Sequence, residues 1–329
     1  MNDRSSAPQA AALWLGASDD FKQIFYRLIA VAVLCVILAT LSDAFFTLNN
    51  ALNVLRQASL VFFMAAGLTL VILTANLDLS VGANVALSAC LAAAVIKSTG
   101  SPVLGCLVGV GVGSLIGLLN GLMVSAMRIP SFIATYGMLW VAQGVTYWFM
   151  AGETIHGFPP AFRQLGSGYW WGIPIPIYLM LVFLLIGGLF ARRTTWGQEI
   201  YAIGANAVAA RLSGVPIGKR LVLVFVVSGA MAGMASLIFL ARLNSAEGDI
   251  GDSLTLPAIT AVLIGGTSLF GGVGTMFGTF VGALILTLIL NGMNLLAISA
   301  SWQPLVTGVI LIAAVWLDMI ARGERSRRG

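Results

Sequence analysis

Charged side chains are scarce in this sequence. Aspartate, glutamate, lysine and arginine together make up 9% of its 329 residues, whereas hydrophobic residues make up 59%. Because soluble domains carry about 25% charged residues, a chain of this composition cannot cover a water-facing surface. The scarcity of charge excludes an ordinary soluble domain and indicates a protein that folds in lipid.

Residues that catalyse reactions or bind metals are also few. The only histidine is His156, and the three cysteines are an odd number without metal-ligand spacing. Residues 214–220 have three residues rather than four between their glycines, and Arg220 stands where a phosphate-binding loop has serine or threonine. We therefore expect no catalytic site and no cofactor or metal bound by this chain. The absence of a basic patch interleaved with aromatic residues argues against nucleic acid as a partner.

Long apolar stretches are abundant, and a membrane span needs about 20 such residues. They fall roughly at 26–46, 59–75, 81–97, 102–123, 131–150, 175–191, 221–241, 256–270, 274–291 and 304–321. This pattern predicts an all-α polytopic bundle of about ten transmembrane helices. The stretch 81–97 is short, and 256–270 runs into a glycine cluster, so either is a full span, a half-helix or a re-entrant segment.

Lysine and arginine are distributed unequally between alternate loops. With the N-terminus inside, 13 of the 17 basic residues lie on the cytoplasmic side and 4 on the other. This asymmetry predicts cytoplasmic termini. The expected organisation is a tail at 1–25, a transmembrane domain at 26–321 with a cytoplasmic loop at 192–220, and a basic tail at 322–329.

Ionisable residues are almost absent from the predicted spans, since Asp78 and Asp318 fall at span ends. Carriers driven by protons or sodium ions usually have such a residue inside the membrane. The sequence therefore favours a pathway driven by another protein. An ion-coupled secondary transporter of a small polar solute is the alternative.

Two glycine ladders with a spacing of four, at 113–121 and 274–282, predict close helix packing. Asn120 and Asn291 are 171 residues apart, and so are Asp78 and Asp249. Five predicted spans separate the members of each pair, so one interpretation is an inverted repeat. The glycine ladders do not follow this offset.

The predicted loop at 192–220 carries five positive charges and one negative charge. Within it, residues 206–216 predict a short helix that Asn206 caps, Gly214 ends and Pro216 keeps from resuming. A short alanine-rich helix on the cytoplasmic face, with Arg211 for a directional contact, is typical of a docking element. The alternative is an amphipathic loop helix at the membrane interface.

These residues resemble the signature of ribose-type ABC permeases. The segments that carry the resemblance are 195–206, 209–215, 78–82, 120–121 with 129–138, and 258–269 with 271–274. They occur in order from about residue 50 to the C-terminus. One departure is Thr255-Leu256-Pro257, where the family commonly has two acidic residues around the leucine. Asp249 and Asp252 are the nearest carboxylates.

The resemblance implies the permease subunit of an ATP-driven importer of a ribose-like monosaccharide in the bacterial inner membrane. Its implied partners are a cytoplasmic ATP-binding subunit, a periplasmic sugar-binding protein and a second permease copy in the lipid bilayer. The coupling helix that enters a groove on the ATPase would contain Gly204, Asn206, Ala209, Ala210, Arg211 and Gly214.

Polar residues near the predicted span ends are candidates for the translocation pathway. They are Asp78, Ser80, Asn84, Asn120, Ser131, Thr135, Asn291 and Asn294. A neutral solute rich in hydroxyl groups needs only weak hydrogen-bond partners during passage. Hydrogen bonding between helices is the alternative role for each of these residues.

Overall fold

The computed structural model describes residues 25–328, with side chains to residue 320. The helices in this range are α1 (Phe25–Leu41), α2 (Leu48–Leu73), α3 (Val81–Thr99), α4 (Pro102–Ser125), α5 (Ser131–Met150), α6 (Pro160–Ser167), α7 (Ile175–Arg193), α8 (Thr195–Ala205), α9 (Ala207–Leu212), α10 (Ile217–Leu243), α11 (Thr255–Ile264), α12 (Met276–Leu295) and α13 (Gln303–Arg328). Two short antiparallel pairs join β1 (Ile155–His156) to β4 (Ser245–Ala246) and β2 (Tyr169–Trp170) to β3 (Ile173–Pro174). Of the predicted tails at 1–25 and 322–329, residues 1–24 and residue 329 lie outside the described residues.

Seven helices in the described range are long and apolar enough to cross a membrane. They are α2, α3, α4, α7, α10, α12 and residues 300–320, most of which belong to α13. The chain is thus an all-α, multi-pass membrane protein, but the predicted count of about ten spans is not confirmed. Helix α1 covers only 17 described residues, and the 20-residue helix α5 is not among the seven.

The two uncertain stretches have different outcomes. Helix α3 has 19 residues, enough to count among the seven apolar helices. Helix α11 has only 10 residues, so its length of about 15 Å falls far short of a hydrocarbon core of about 30 Å. The stretch 256–270 is therefore a short helix that ends in a glycine-rich loop and not a full span.

Glycines allow the close helix packing that the ladders predict. A Cβ atom on Gly113 or Gly117 would lie 2.3 or 2.2 Å from a backbone carbonyl oxygen of α10. On the second ladder, a Cβ atom on Gly278 would meet the carbonyl oxygen of Gly265, just after α11, at 2.2 Å, and one on Gly282 would meet that of Ala261 at 2.0 Å. Since such distances are far below a normal contact, any side chain here would push the helices apart. Gly274, the first glycine of the second ladder, lies before α12 begins and so takes no part in this contact between helices.

The largest buried cluster surrounds α2, which packs against α7, α10, α11 and α12. Thr47 begins this helix by accepting a hydrogen bond from the backbone N–H of Asn50. Phe62, Phe63 and Met64 are fully buried. Because these residues cover more than one face of the helix, α2 is enclosed by protein and not by lipid.

The helix bounds follow the 171-residue offset seen in the sequence. Shifted by 171 residues, α2 covers 219–244 and α4 covers 273–296, close to the bounds of α10 and α12. The packing is matched as well: α2 contacts α11 and α12, and α10 contacts α3 and α4. The bounds and the neighbours support the inverted-repeat interpretation.

Helices α3 and α11 both begin inside the membrane, where two irregular segments meet. A Cβ atom on Gly82 would lie 2.3 Å from the carbonyl oxygen of Gly251, and the Gly82 N–H donates to Thr255 Oγ1 at 3.1 Å. The linker 74–80 comes from the end of α2, whereas 247–254 follows the β1–β4 pair. Asp78 in the linker accepts a hydrogen bond from Ser228, which lies near the middle of the 27-residue helix α10. The meeting point is therefore near the middle of the bilayer.

Candidate coupling element and translocation pathway

The predicted docking helix is present as α9. Asn206 Oδ1 accepts hydrogen bonds from the N–H groups of Val208 and Ala209, both at 3.0 Å, as expected of an N-cap. Gly214 follows the helix with φ of +83°, a conformation that glycine adopts without strain. Arg211 is exposed beside Val208 and Leu212, which are 70% and 84% exposed. Two exposed apolar side chains around an arginine form a small surface suited to a protein partner.

Helix α8, which precedes α9, is tied to the start of α10. The Arg220 guanidinium forms an ion pair with Glu199 and lies 4.9 Å from the centre of the Trp196 ring. A planar guanidinium can make both contacts at once, whereas a lysine ammonium cannot. Sequence reasoning treated residues 195–205 as part of a loop and did not find this cluster. The available signal was Trp196 and Glu199 close together in the sequence, with the basic residue Arg220 following 21 residues after Glu199.

Gly204 lies at a junction of three backbone segments. A Cβ atom on it would lie 1.8 Å from the carbonyl oxygen of Leu73 and 2.4 Å from the backbone nitrogen of Gly272. The Gly272 N–H also donates to that Leu73 oxygen at 3.0 Å. The end of α8 therefore touches both the end of α2 and the loop between α11 and α12. Displacement of α8 must move these two segments or break the junction.

Three predicted pathway residues come together in one buried network. Asp78 Oδ1 accepts from the backbone N–H of Ser80 at 3.0 Å and from its hydroxyl at 2.7 Å. Asp78 Oδ2 accepts from the Ser228 hydroxyl at 3.0 Å, and Asn120 Nδ2 donates to Ser80 Oγ at 2.8 Å. Asp78, Ser80 and Asn120 are each at most 1% exposed. The network joins the α2–α3 linker to α4 and α10.

Three further predicted residues also bond to neighbouring segments of the chain. Asn84 Nδ2 donates to the carbonyl oxygen of Gly113 at 3.2 Å. On α5, Ser131 Oγ accepts from the N–H of Leu77 at 3.2 Å, and Thr135 Oγ1 accepts from that of Leu79 at 3.1 Å. The last two bonds satisfy backbone groups of the irregular α2–α3 linker, which has no helical partners for them.

Asn291 and Asn294 lie near the end of α12, away from the Asp78 network. Asn291 exchanges side-chain hydrogen bonds with Asn50 at 2.9 and 3.2 Å. Asn294 is exposed and accepts a hydrogen bond from Gln303 at 3.0 Å. All eight predicted residues thus bond to other parts of the chain, as the alternative of structural hydrogen bonding describes. Their role in the pathway stays a prediction.

The transport family is decided by comparison with known proteins. Residues 50–315 match a family described as the permease component of the branched-chain amino acid transport system. The chain belongs to this permease family. It is 40% identical over 295 residues to the ribose import permease protein RbsC of Escherichia coli K12, covering 88% of this chain and 92% of that protein.

Other relatives carry different substrates in their names. The autoinducer 2 import system permease protein LsrC of Klebsiella pneumoniae is 34% identical over 90% of this chain and 88% of its own length. The L-arabinose ABC transporter permease protein AraH of Azospirillum brasilense is 34% identical over 98% of this chain and 96% of its own length. The resemblance to ribose-type ABC permeases is confirmed. No solved structure matches the chain at a significant level.

Proposed function

We propose that this chain is the membrane-spanning permease subunit of an ABC importer that carries a monosaccharide into the cytoplasm. The observation that carries the proposal is the exposed, capped helix α9 and its backbone connection, through Gly204, to the end of α2. A chain that only conducted its solute would have no need of such an element. The sugar-importing relatives support the same assignment.

In this mechanism a separate ATP-binding subunit supplies the energy. Its groove receives α9, with Val208 and Leu212 as apolar contacts and Arg211 as the directional contact. When the two ATPase subunits close on ATP, α9 and α8 move together because only Asn206 separates them, and the start of α10 follows because Arg220 ties it to α8. The junction at Gly204 passes the motion to α2 and to the loop after α11. This chain binds no ATP and no other cofactor.

The complete importer contains a second permease copy, two ATP-binding subunits and a periplasmic sugar-binding protein. It resides in the bacterial inner membrane with both permease termini in the cytoplasm, where the basic loop 192–220 faces the ATPase. The sugar is bound and selected by the periplasmic protein before it reaches the permease. A pentose such as ribose or arabinose is the first substrate to test.

The buried carboxylate of Asp78 is an observation that favours an ion-coupled carrier. A carboxylate inside a membrane usually marks an ion pathway. Both oxygens of Asp78, however, accept hydrogen bonds from serine residues that join the linker to α10. This arrangement favours a structural role, because releasing a proton or ion would require the network to break.

The proposal is tested by reconstituting the permease in liposomes, alone and with the ATP-binding subunit and sugar-binding protein encoded beside it. Uptake of labelled ribose or arabinose should require both partners and ATP. Uptake by the permease alone, driven by an ion gradient, would refute the proposal in favour of the ion-coupled carrier.

The role of α9 is tested with Arg211→Glu. This change should abolish ATP-dependent uptake, because a negative charge would replace the directional contact, while the protein still accumulates in the membrane. Arg128→Glu, on the exposed loop between α4 and α5, is the matched control and should retain uptake. Equal uptake by both variants would remove the docking role of Arg211.

A further inference from the structure

Helix α5 presents an unusual surface. Its 20 residues match the length of α12 and include no charged side chain, but aromatic residues are unusually frequent among them. One face is a stripe of aromatic rings at helical spacing: Phe132, Tyr136, Trp140 and Tyr147 are 57%, 46%, 60% and 49% exposed. The Phe132 and Tyr136 rings are parallel with centres 6.0 Å apart, and Tyr136 meets Trp140 edge to face at 6.3 Å.

The stripe ends against the irregular segment 247–254. The Tyr147 hydroxyl donates to Asp252 Oδ2 at 3.3 Å, and Gln143 Nε2 donates to the carbonyl oxygen of Gly248 at 3.2 Å. Glu247, Asp249 and Asp252 are all exposed. The aromatic stripe and these three carboxylates therefore share one surface of the protomer.

The depth of this segment shows which solvent the surface meets. The backbone carbonyl oxygen of Glu247 accepts a hydrogen bond from the Cys90 thiol, and Gly251 touches Gly82. Counting along α3 from Lys97, its outermost charged residue, these contacts lie about 10 and 22 Å below the outer end of the helix. Exposed carboxylates and irregular backbone at such depths do not face lipid hydrocarbon. The surface therefore faces away from lipid, toward the interior of the assembled transporter.

Helix α7 provides the contrast. From Leu181 to Leu189 its exposed side chains are all aliphatic, and Leu181, Leu185 and Leu189 are 49%, 63% and 52% exposed. No carboxylate interrupts this face, so it is suited to lipid. The exposed face of α7 thus has the chemistry expected of a lipid contact, whereas the exposed face of α5 has the chemistry expected beside a water-filled pathway.

We propose that the α5 stripe of Phe132, Tyr136, Trp140 and Tyr147 is a wall of the water-filled pathway, along which the sugar ring stacks as it passes. An aromatic face suits the C–H face of a sugar, and the Tyr136 and Tyr147 hydroxyls suit its edge. Gly144 continues the stripe with open space around it, leaving a gap between the upper and lower rings. Successive weak stacking positions guide a neutral sugar without trapping it. The inference rests on the proposed function and assigns the sugar's path within it.

Water access is tested by cysteine labelling of the full transporter with its ATP-binding and sugar-binding partners in proteoliposomes. In a background with the three native cysteines replaced by serine, Tyr136→Cys and Trp140→Cys should react with a charged, membrane-impermeant methanethiosulfonate. Leu185→Cys on α7 is the control and should react at least tenfold more slowly. Equally slow labelling of all three would overturn the proposal, whether lipid or a partner helix covers the stripe.

Stacking is tested with two changes at one position. Trp140→Ala should lower sugar uptake roughly two- to tenfold, the range expected for one lost aromatic contact, whereas Trp140→Phe should retain most of it. ATP hydrolysis stimulated by the binding protein should be unchanged in both, which separates loss of stacking from loss of assembly. Wild-type uptake by Trp140→Ala would overturn the stacking role. Labelling does not require uptake, so a transporter that labels as expected but imports no sugar refutes the proposed function alone.

Discussion

Replacing Gly204 with alanine should disrupt the junction between α8, α2 and the loop after α11. The new Cβ atom would lie 1.8 Å from the carbonyl oxygen of Leu73, whereas ordinary contacts begin at 3.4 Å. Helix α8 would have to retreat by the difference, about 1.6 Å, because the obstacle is backbone and not a flexible side chain. Overpacking of this kind costs roughly 1–3 kcal/mol. We therefore expect a lower melting temperature and uptake that is poorly coupled to ATP hydrolysis.

The assay compares thermal unfolding of the purified permease and the ratio of sugar imported to ATP hydrolysed in proteoliposomes. Gly188→Ala on α7 is the matched control, since no atom lies within 4 Å of its new Cβ position. It should leave both values unchanged or raise stability slightly, because alanine favours helices over glycine. Wild-type stability and coupling in Gly204→Ala would refute the inferred path of motion.

Two other sites allow equally direct tests. Asp78→Asn should destabilise the fold by roughly 1–3 kcal/mol, because an amide has only one accepting atom and the buried Ser228 hydroxyl loses the acceptor for its proton. Ser228→Ala should cost less, and thermal unfolding of both variants checks the order. If Asp78→Asn unfolds at the wild-type temperature, the network is not structural. Arg220→Lys should loosen α8, since lysine cannot pair with Glu199 and also cover a ring in the same geometry. A double-mutant cycle with Glu199→Gln should show a coupling energy above roughly 0.5 kcal/mol. Additive effects would argue against the ion pair between Arg220 and Glu199.

The membrane helices could be predicted from the sequence because their signal is local. Apolar runs of sufficient length mark α2, α4 and α12, and glycine spacing marks the faces that pack. The end of α11 was harder to predict, since the apolar run 256–270 continues past Ile264, where the helix ends. The chain leaves helical geometry at Gly266, with φ of +78°, and only the structure shows this.

The short helix α9 could also be predicted, because its caps lie within a few residues of it. Asn206 and Gly214 act as predicted. The ion pair that ties α8 to α10 could not be predicted, because Glu199 and Arg220 are brought together only by the turn around α9. Local patterns locate an element but not the contacts that fix it.

The pathway residues show the limit of sequence reasoning most clearly. A polar residue in an apolar run predicts a hydrogen bond but does not say whether the partner is protein or solute. Asp78 and Ser228 are 150 residues apart, and no local pattern connects them. Sequence reasoning does not find the surface formed by α5 and the acids between Glu247 and Asp252, because their closeness to α5 depends on the fold. Their density within six residues was the available signal.

The meeting of α3 and α11 near the middle of the bilayer has an electrostatic consequence. Both helices begin there and run in opposite directions, so two N-terminal ends, each with roughly half a positive charge, lie side by side. The carboxylate of Asp78 lies in the linker just before α3 and offsets this charge, as an acid near a helix N-terminus does. Without it, two like partial charges would face each other in a medium of low dielectric constant, where they repel more strongly than in water. The residue that holds the hydrogen-bond network together is thus also the counter-charge for the junction of the two helices.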